Sequence, residues 1–129
     1  MLTQKARLRA MVVDDDPNVR QSFADLLRCW GHQTVQAADG MTALRLVEEQ
    51  TPDVILLDIG LPHMDGLELA RIIRGRWPYK PPVLIAMTGY GATEDRCRSN
   101  EAGIDFHLLK PVEPDELECI LAHYRPSQS

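Results

Sequence analysis

Four apolar runs in this sequence end on residues able to handle a charged group. Asp14 and Asp15 follow Met11-Val12-Val13, Asp58 follows Val54-Ile55-Leu56-Leu57, Thr88 follows residues 83–87, and Lys110 follows residues 105–109. Three carboxylates brought together repel one another and resist full ionisation unless a cation joins them. An all-oxygen set in a small space suits Mg²⁺, which takes few carboxylates, keeps several waters and so leaves positions open to phosphate oxygens. Lysine would add a second positive charge and threonine a hydrogen-bond donor. Such a set can stabilise a phosphoryl group carried on one of its own carboxylates, since aspartyl phosphate is an established covalent form of an Asp nucleophile. In that chemistry the protein mainly supplies positioning and charge neutralisation. A zinc reading has no support: Cys29, Cys97 and Cys119 are odd in number and lack CxxC spacing, and no His/Cys cluster accompanies them.

These residues lie far apart in the chain, so the elements must bring them together. Residues 8–13 form a short apolar strand that stops at Asp14-Asp15-Asp16. Val19, Phe23, Leu26, Leu27 and Trp30 then recur at helical spacing, with Asp16 as N-cap, Pro17 at the first helical position and Gly31 as the stop. Residues 33–38 read as a weak second strand and 40–49 as a second helix with Ala43, Leu44, Leu46 and Val47 on its apolar side. Val54 to Leu57 is continuously apolar, which predicts a strand buried on both faces, as in a parallel sheet. A loop over 59–65 leads to a helix over 66–74, in which Asp65 is the cap, and Gly75, Pro78, Pro81 and Pro82 break the chain. Strand 83–87, a polar helix over 92–102 closed by Gly103, strand 105–109 and a last helix over 114–124 complete the pattern. Five strand–helix alternations imply parallel strands with right-handed crossovers, and five suit an open doubly wound α/β sheet where a barrel would need eight. Ligands bind such sheets at the carboxyl ends of the strands. Asp14, Asp15, Asp58, Thr88 and Lys110 all stand there.

With the strand ends located, the chain resembles the response-regulator receiver family. The matching stretches are Met11-Val12-Val13-Asp14-Asp15-Asp16, the run from Asp53 through Asp58-Ile59-Gly60-Leu61-Pro62-His63-Met64-Asp65-Gly66, then Met87-Thr88-Gly89, and Leu109-Lys110-Pro111. Any one of them is weak; all four in order, at the right strand ends, are strong, and together they cover roughly residues 8–124. The resemblance implies a flavodoxin-like (βα)5 fold, strand order 2-1-3-4-5, in three layers. It implies that Asp58 is the phosphoacceptor, that Asp14, Asp15, Asp58 and the backbone carbonyl of Gly60 hold Mg²⁺, that Thr88 is a switch hydroxyl, and that Lys110 pairs with the phosphorylated aspartate. It also implies a cis Lys110-Pro111 bond. The implied donor is a sensor histidine kinase or a histidine phosphotransfer domain. The implied readout surface is the fourth helix, fifth strand and fifth helix. The protein would then be a self-phosphorylating phosphoacceptor with autodephosphorylation, not a turnover enzyme on a separate substrate.

Each residue also has a plainer reading. Asp14 and Asp15 are ordinary loop acids at a helix start unless a third acid faces them. Thr88 alone is a capping hydroxyl and Lys110 alone a surface lysine; their membership of the set raises both. His107 stands where the family often has Tyr or Phe, and three readings are open: a switch ring, a group titrating near neutral pH, or a polar edge residue. Tyr90 is either a cover for the site or an exposed loop residue. The cysteines are expected to be structural, and Trp77 and Tyr79 to pack locally.

Composition sets the outer bounds. The 129 residues suit one domain, 1–129 with its core at about 8–124, and 44% hydrophobic with 26% charged residues is an ordinary globular balance. A net charge of −5 argues against a direct nucleic-acid surface, and no apolar run approaches the ~20 residues of a membrane span. Reduced thiols suggest the cytoplasm. The rival from another class is a pseudo-receiver, a phosphorylation-independent interaction module. A dehalogenase-type phosphatase would want a second Asp where Gly60 stands. The acidic first loop would repel a flavin phosphate, and nucleotide hydrolysis lacks a GxxxxGK[ST] loop.

Overall fold

The structure is a computed structural model that describes residues 7–60, 66–78, 81–88 and 102–123. Five strands, β1 (Arg9–Val13), β2 (Gln33–Ala37), β3 (Val54–Asp58), β4 (Val83–Thr88) and β5 (Phe106–Leu109), form one sheet in the order β2-β1-β3-β4-β5. Every neighbouring pair is parallel. The described helices are α1 (Pro17–Cys29), α2 (Gly40–Gln50), α3 (Gly66–Arg76) and α4 (Pro114–His123). The expected fold class and strand order are thus observed.

Two-residue periodicity sorts the sheet's side chains into two cores. Met11, Val13, Ile55, Leu57, Leu84 and Ala86 point to one face, where Leu44 and Val47 of α2 and Leu69, Ala70 and Ile73 of α3 cover them. Ala10, Val12, Val54, Leu56, Ile85 and Met87 point to the other, under Leu27 of α1 and Leu117 and Leu121 of α4. Residues 54–57 are fully buried because both faces are covered.

Several boundaries differ from the sequence reading. Helix α3 runs through Gly75 to Arg76, and the N–H of Trp77 still donates to Ile73 O at 3.0 Å. A glycine one residue from a helix end costs about 1 kcal/mol, which the buried face of α3 outweighs. Strand β4 includes Thr88, because its carbonyl accepts from the N–H of Lys110 at 2.8 Å and extends the ladder. Cys29 and Cys119 are exposed rather than in the core. The expected helix over 92–102 lies outside the described residues apart from Ala102, as do Asp65, Tyr79, Tyr90 and Cys97.

The amino ends of the strands are fastened by side chains. Arg9 N–H donates to Asp53 Oδ2 at 2.8 Å and Leu8 N–H to His32 Nδ1 at 3.1 Å. Arg74 of α3 donates to the carbonyls of Gly103 at 2.8 Å and Pro82 at 2.7 Å, and pairs with Asp105 at 2.6 Å. Asp105 also accepts from Leu84 N–H at 2.8 Å. Gly103, at φ +90°, lies so close that a Cβ there would meet Arg74 Cγ at 2.7 Å.

Candidate functional site at the carboxyl ends of the strands

Register brings the acids together. Val13 and Leu57 are partners across β1 and β3, so the residues that follow them, Asp14 and Asp58, stand side by side. Asp14 is 1% exposed and Asp58 8%. Asp14 is tied on two sides: its N–H donates to Ala37 O at 3.1 Å, and its Oδ1 accepts from Asp16 N–H at 2.9 Å. Asp16 in turn caps α1 through Asn18 N–H at 2.9 Å, with Pro17 in the first turn, as the sequence suggested. Asp58 Oδ1 accepts from Gly60 N–H at 3.1 Å. Asp15 is exposed, yet one carboxylate oxygen from each of Asp14, Asp15 and Asp58 falls within 4.8 Å of the others.

Lys110 reaches this cluster from the far side of β4. Its Nζ lies 3.4 Å from Asp58 Oδ1 and 3.7 Å from Asp14 Oδ2. The Lys110–Pro111 bond is cis. Thr88 ends β4 beside Leu109, and His107 sits half-buried opposite Ala86 on β5. The structure therefore gathers Asp14, Asp15, Asp58 and Lys110 into direct proximity. Thr88 stands at the same end one strand over, and His107 lies further back on the edge strand.

Burial pushes the Asp14 carboxyl above the ordinary carboxylate range. The N–H of Asp16 pulls it back, the Asp58 charge adds to the rise, and Lys110 opposes it. Among the described residues Asp14 Oδ2 is buried and accepts no hydrogen bond. A buried, negatively charged oxygen without a donor is costly. A small hard cation satisfies it, and the other donors here are also oxygens, so the residues present fit Mg²⁺.

Two supports were missed in the sequence. The sequence points to Gly60 for its carbonyl; its N–H, in addition, donates to Asp58. The Asp-x-Gly spacing, the signature of a side-chain-to-backbone turn two residues on, was the available signal. In the sequence Gly66 marks only a helix start. A Cβ there would meet Ile59 Cα at 2.7 Å and Asp58 O at 2.8 Å, so α3 packs directly behind Asp58.

The sequence matches the response regulator receiver domain over residues 10–122. The chain belongs to the response regulator receiver domain family. This receiver is 38% identical over 111 residues to the DNA-binding response regulator MtrA of Mycolicibacterium smegmatis, covering 86% of the chain and 47% of that protein. It is 34% identical over 121 residues to sporulation initiation phosphotransferase F of Bacillus subtilis, covering 94% of the chain and 96% of that protein. The receiver thus spans about half the length of the first relative and nearly all of the second. Among solved structures it is similar to the chemotaxis protein CheY4 of Vibrio cholerae, with a TM-score of 0.84, 29% identity, and coverage of 90% of this chain and 97% of that one. A CheY-like receiver of Methanospirillum hungatei gives a TM-score of 0.81 at 34% identity, covering 89% and 91%. Receivers are modules of two-component signalling. No helix among the described residues is long and apolar enough to cross a membrane.

Proposed function

We propose that this receiver accepts a phosphoryl group onto Asp58 from a phosphohistidine on a sensor histidine kinase or a histidine phosphotransfer domain. The observation that carries the reading is the meeting of three carboxylates within 4.8 Å with a lysine Nζ at 3.4 Å from Asp58. The Asp58 oxygen is the nucleophile; it forms the new P–O bond as the P–N bond to the donor histidine breaks and the imidazole leaves with the electron pair. Asp14, Asp15, Asp58 and the Gly60 carbonyl are the residues that would hold Mg²⁺. When bound, Mg²⁺ neutralises charge on the transferring oxygens. Lys110 then pairs with a phosphoryl oxygen in place of the Asp58 oxygen it now faces, and the N–H of Gly60 holds Asp58 in line.

The product is a covalent modification of the chain itself, and its effect is a shift between two conformations. Moving from mostly off to mostly on takes roughly 5 kcal/mol of differential stabilisation. Thr88 and His107 are the proposed carriers. Among the described residues the proposed readout face comprises β5 and α4, with Phe106 and Leu109 exposed at 42% and 47%; the expected helix over 92–102 lies outside them apart from Ala102.

Incubation with acetyl phosphate and Mg²⁺, read by intact mass, tests the reading. One added phosphoryl group in the wild type, absent in Asp58→Asn and with chelator, is the expected result. If no phosphoryl group is gained and beryllofluoride also fails to bind, the chain is a pseudo-receiver.

A further inference from the structure

We infer that Arg20 is a positioning residue that sets the peptide between the two members of the acidic pair. Its guanidinium leaves α1 one turn in and turns back on the end of β1. Nη1 donates to the carbonyl of Asp14 at 2.9 Å, and Nε donates to Gln36 Oε1 on β2 at 3.2 Å. The Asp14 carbonyl belongs to the same planar unit as the N–H of Asp15. Fixing that oxygen therefore fixes the plane from which the Asp15 side chain departs, and Asp15 is otherwise an exposed residue in a loop. Every other support described for the pair acts on Asp14, through Ala37, Asp16 and Lys110.

The guanidinium is itself oriented. Gln36 Nε2 donates to Gln21 Oε1 at 3.4 Å, and Gln21 Nε2 donates to Asp25 Oδ1 at 2.8 Å. A chain of polar groups thus runs from the surface of α1, across β2, to the back of the acidic pair. Arginine suits the post because its rigid fork serves two acceptors at once, whereas a lysine ammonium is a mobile point charge. The guanidinium also brings a positive charge to the back of a carboxylate cluster without occupying its open side.

The inference rests on the proposed role of Asp14 and Asp15 in holding Mg²⁺. Groups that orient a metal ligand change affinity by 10–100-fold when removed. The test compares wild type, Arg20→Met, Arg20→Lys and Gln36→Leu in three measurements. These are Mg²⁺ affinity by calorimetry, the thermal midpoint in chelator, and the ¹⁵N shift of the Asp15 amide in chelator, which senses hydrogen bonding at the preceding carbonyl. Arg20→Met is expected to weaken Mg²⁺ about tenfold and to move the Asp15 signal. Gln36→Leu should shift both in the same direction by less, and Arg20→Lys should restore them only in part. Folded Arg20→Met with wild-type Mg²⁺ affinity and an unmoved Asp15 signal overturns the inference, as does a lowered thermal midpoint with unchanged affinity. Should Arg20→Met not fold, wild-type values in Gln36→Leu overturn it. Failure of the wild type itself to bind Mg²⁺ would sink the proposed function, a result distinct from wild-type binding with indifferent variants.

Discussion

Asp14 is an acid held where its charge is costly. Burial raises its carboxyl above the ordinary value of 3.8. Folding therefore makes its proton harder to lose, and the ionised form opposes folding. That cost is absent well below the ordinary carboxylate range and is complete once pH has risen past the folded value. Asp14→Asn keeps the acceptor for Asp16 N–H and removes the charge. In chelator at neutral pH it should raise the thermal midpoint by a few degrees, the scale of about 1 kcal/mol in a small domain. The advantage should shrink toward pH 4; a variant less stable than wild type at both pH values would contradict the account. The same substitution should weaken Mg²⁺. Residues of this kind were legible in the sequence, because residue type and a position at a strand end are both one-dimensional facts. Arg20 and the N–H of Gly60 were not, since a bond to a backbone atom depends on where the chain turns.

At the scale of elements, caps are local and easily read, while close approaches are not. Asp16-Pro17 announced α1, but Asp39, which accepts from Thr42 N–H at 2.8 Å and caps α2, went unnoticed beside Gly40. That N–H holds the Asp39 carboxyl below its ordinary value. Its contribution is therefore present above the usual carboxylate range and lost as pH falls through the folded value. Asp39→Ala should cost about 1 kcal/mol at pH 7 in urea unfolding, and the deficit should fade in acid. Gly66 tells the opposite story: nothing in its sequence neighbours says that the Asp58 carbonyl lies 2.8 Å from where a Cβ would sit. Gly66→Ala should destabilise by about 1–3 kcal/mol through overpacking. It should also slow phosphoryl uptake, because the displaced atoms belong to Asp58 and Ile59. Normal stability with normal uptake would show that α3 can shift aside at no cost.

For the molecule as a whole, the continuous apolar run of β3 and the five-fold alternation carried the open, doubly wound parallel sheet, while the strand order and the three layers came only with the resemblance to the receiver family. Those patterns could not fix ends such as that at Gly75, where the buried face of α3 outweighs the glycine's cost, or at Thr88, where a hydrogen bond from Lys110 extends the ladder. Two cores share strands β1, β3 and β4 of one sheet, so the described elements are expected to melt together. Thermal unfolding followed by near- and far-ultraviolet circular dichroism should give coincident single transitions, and separate transitions would argue for more than one unit. Mg²⁺ at 100 times its dissociation constant should add about 2.7 kcal/mol, and Asp58→Asn should lose most of that gain.

The fastened amino ends of the strands bear on how the molecule breathes. Backbone amides of Leu8, Arg9 and Leu84 are locked to side chains there, while the described residues of the opposite rim carry an acidic cluster beside Lys110. Deuterium should enter this protein unevenly: slowly at the laced base, quickly at the rim, with the rim opening at a fraction of the free energy of global unfolding. Equal protection at both ends would refute this. Unequal protection would mean that the rim can be rearranged many times while the base never lets go, as a reusable signalling device requires.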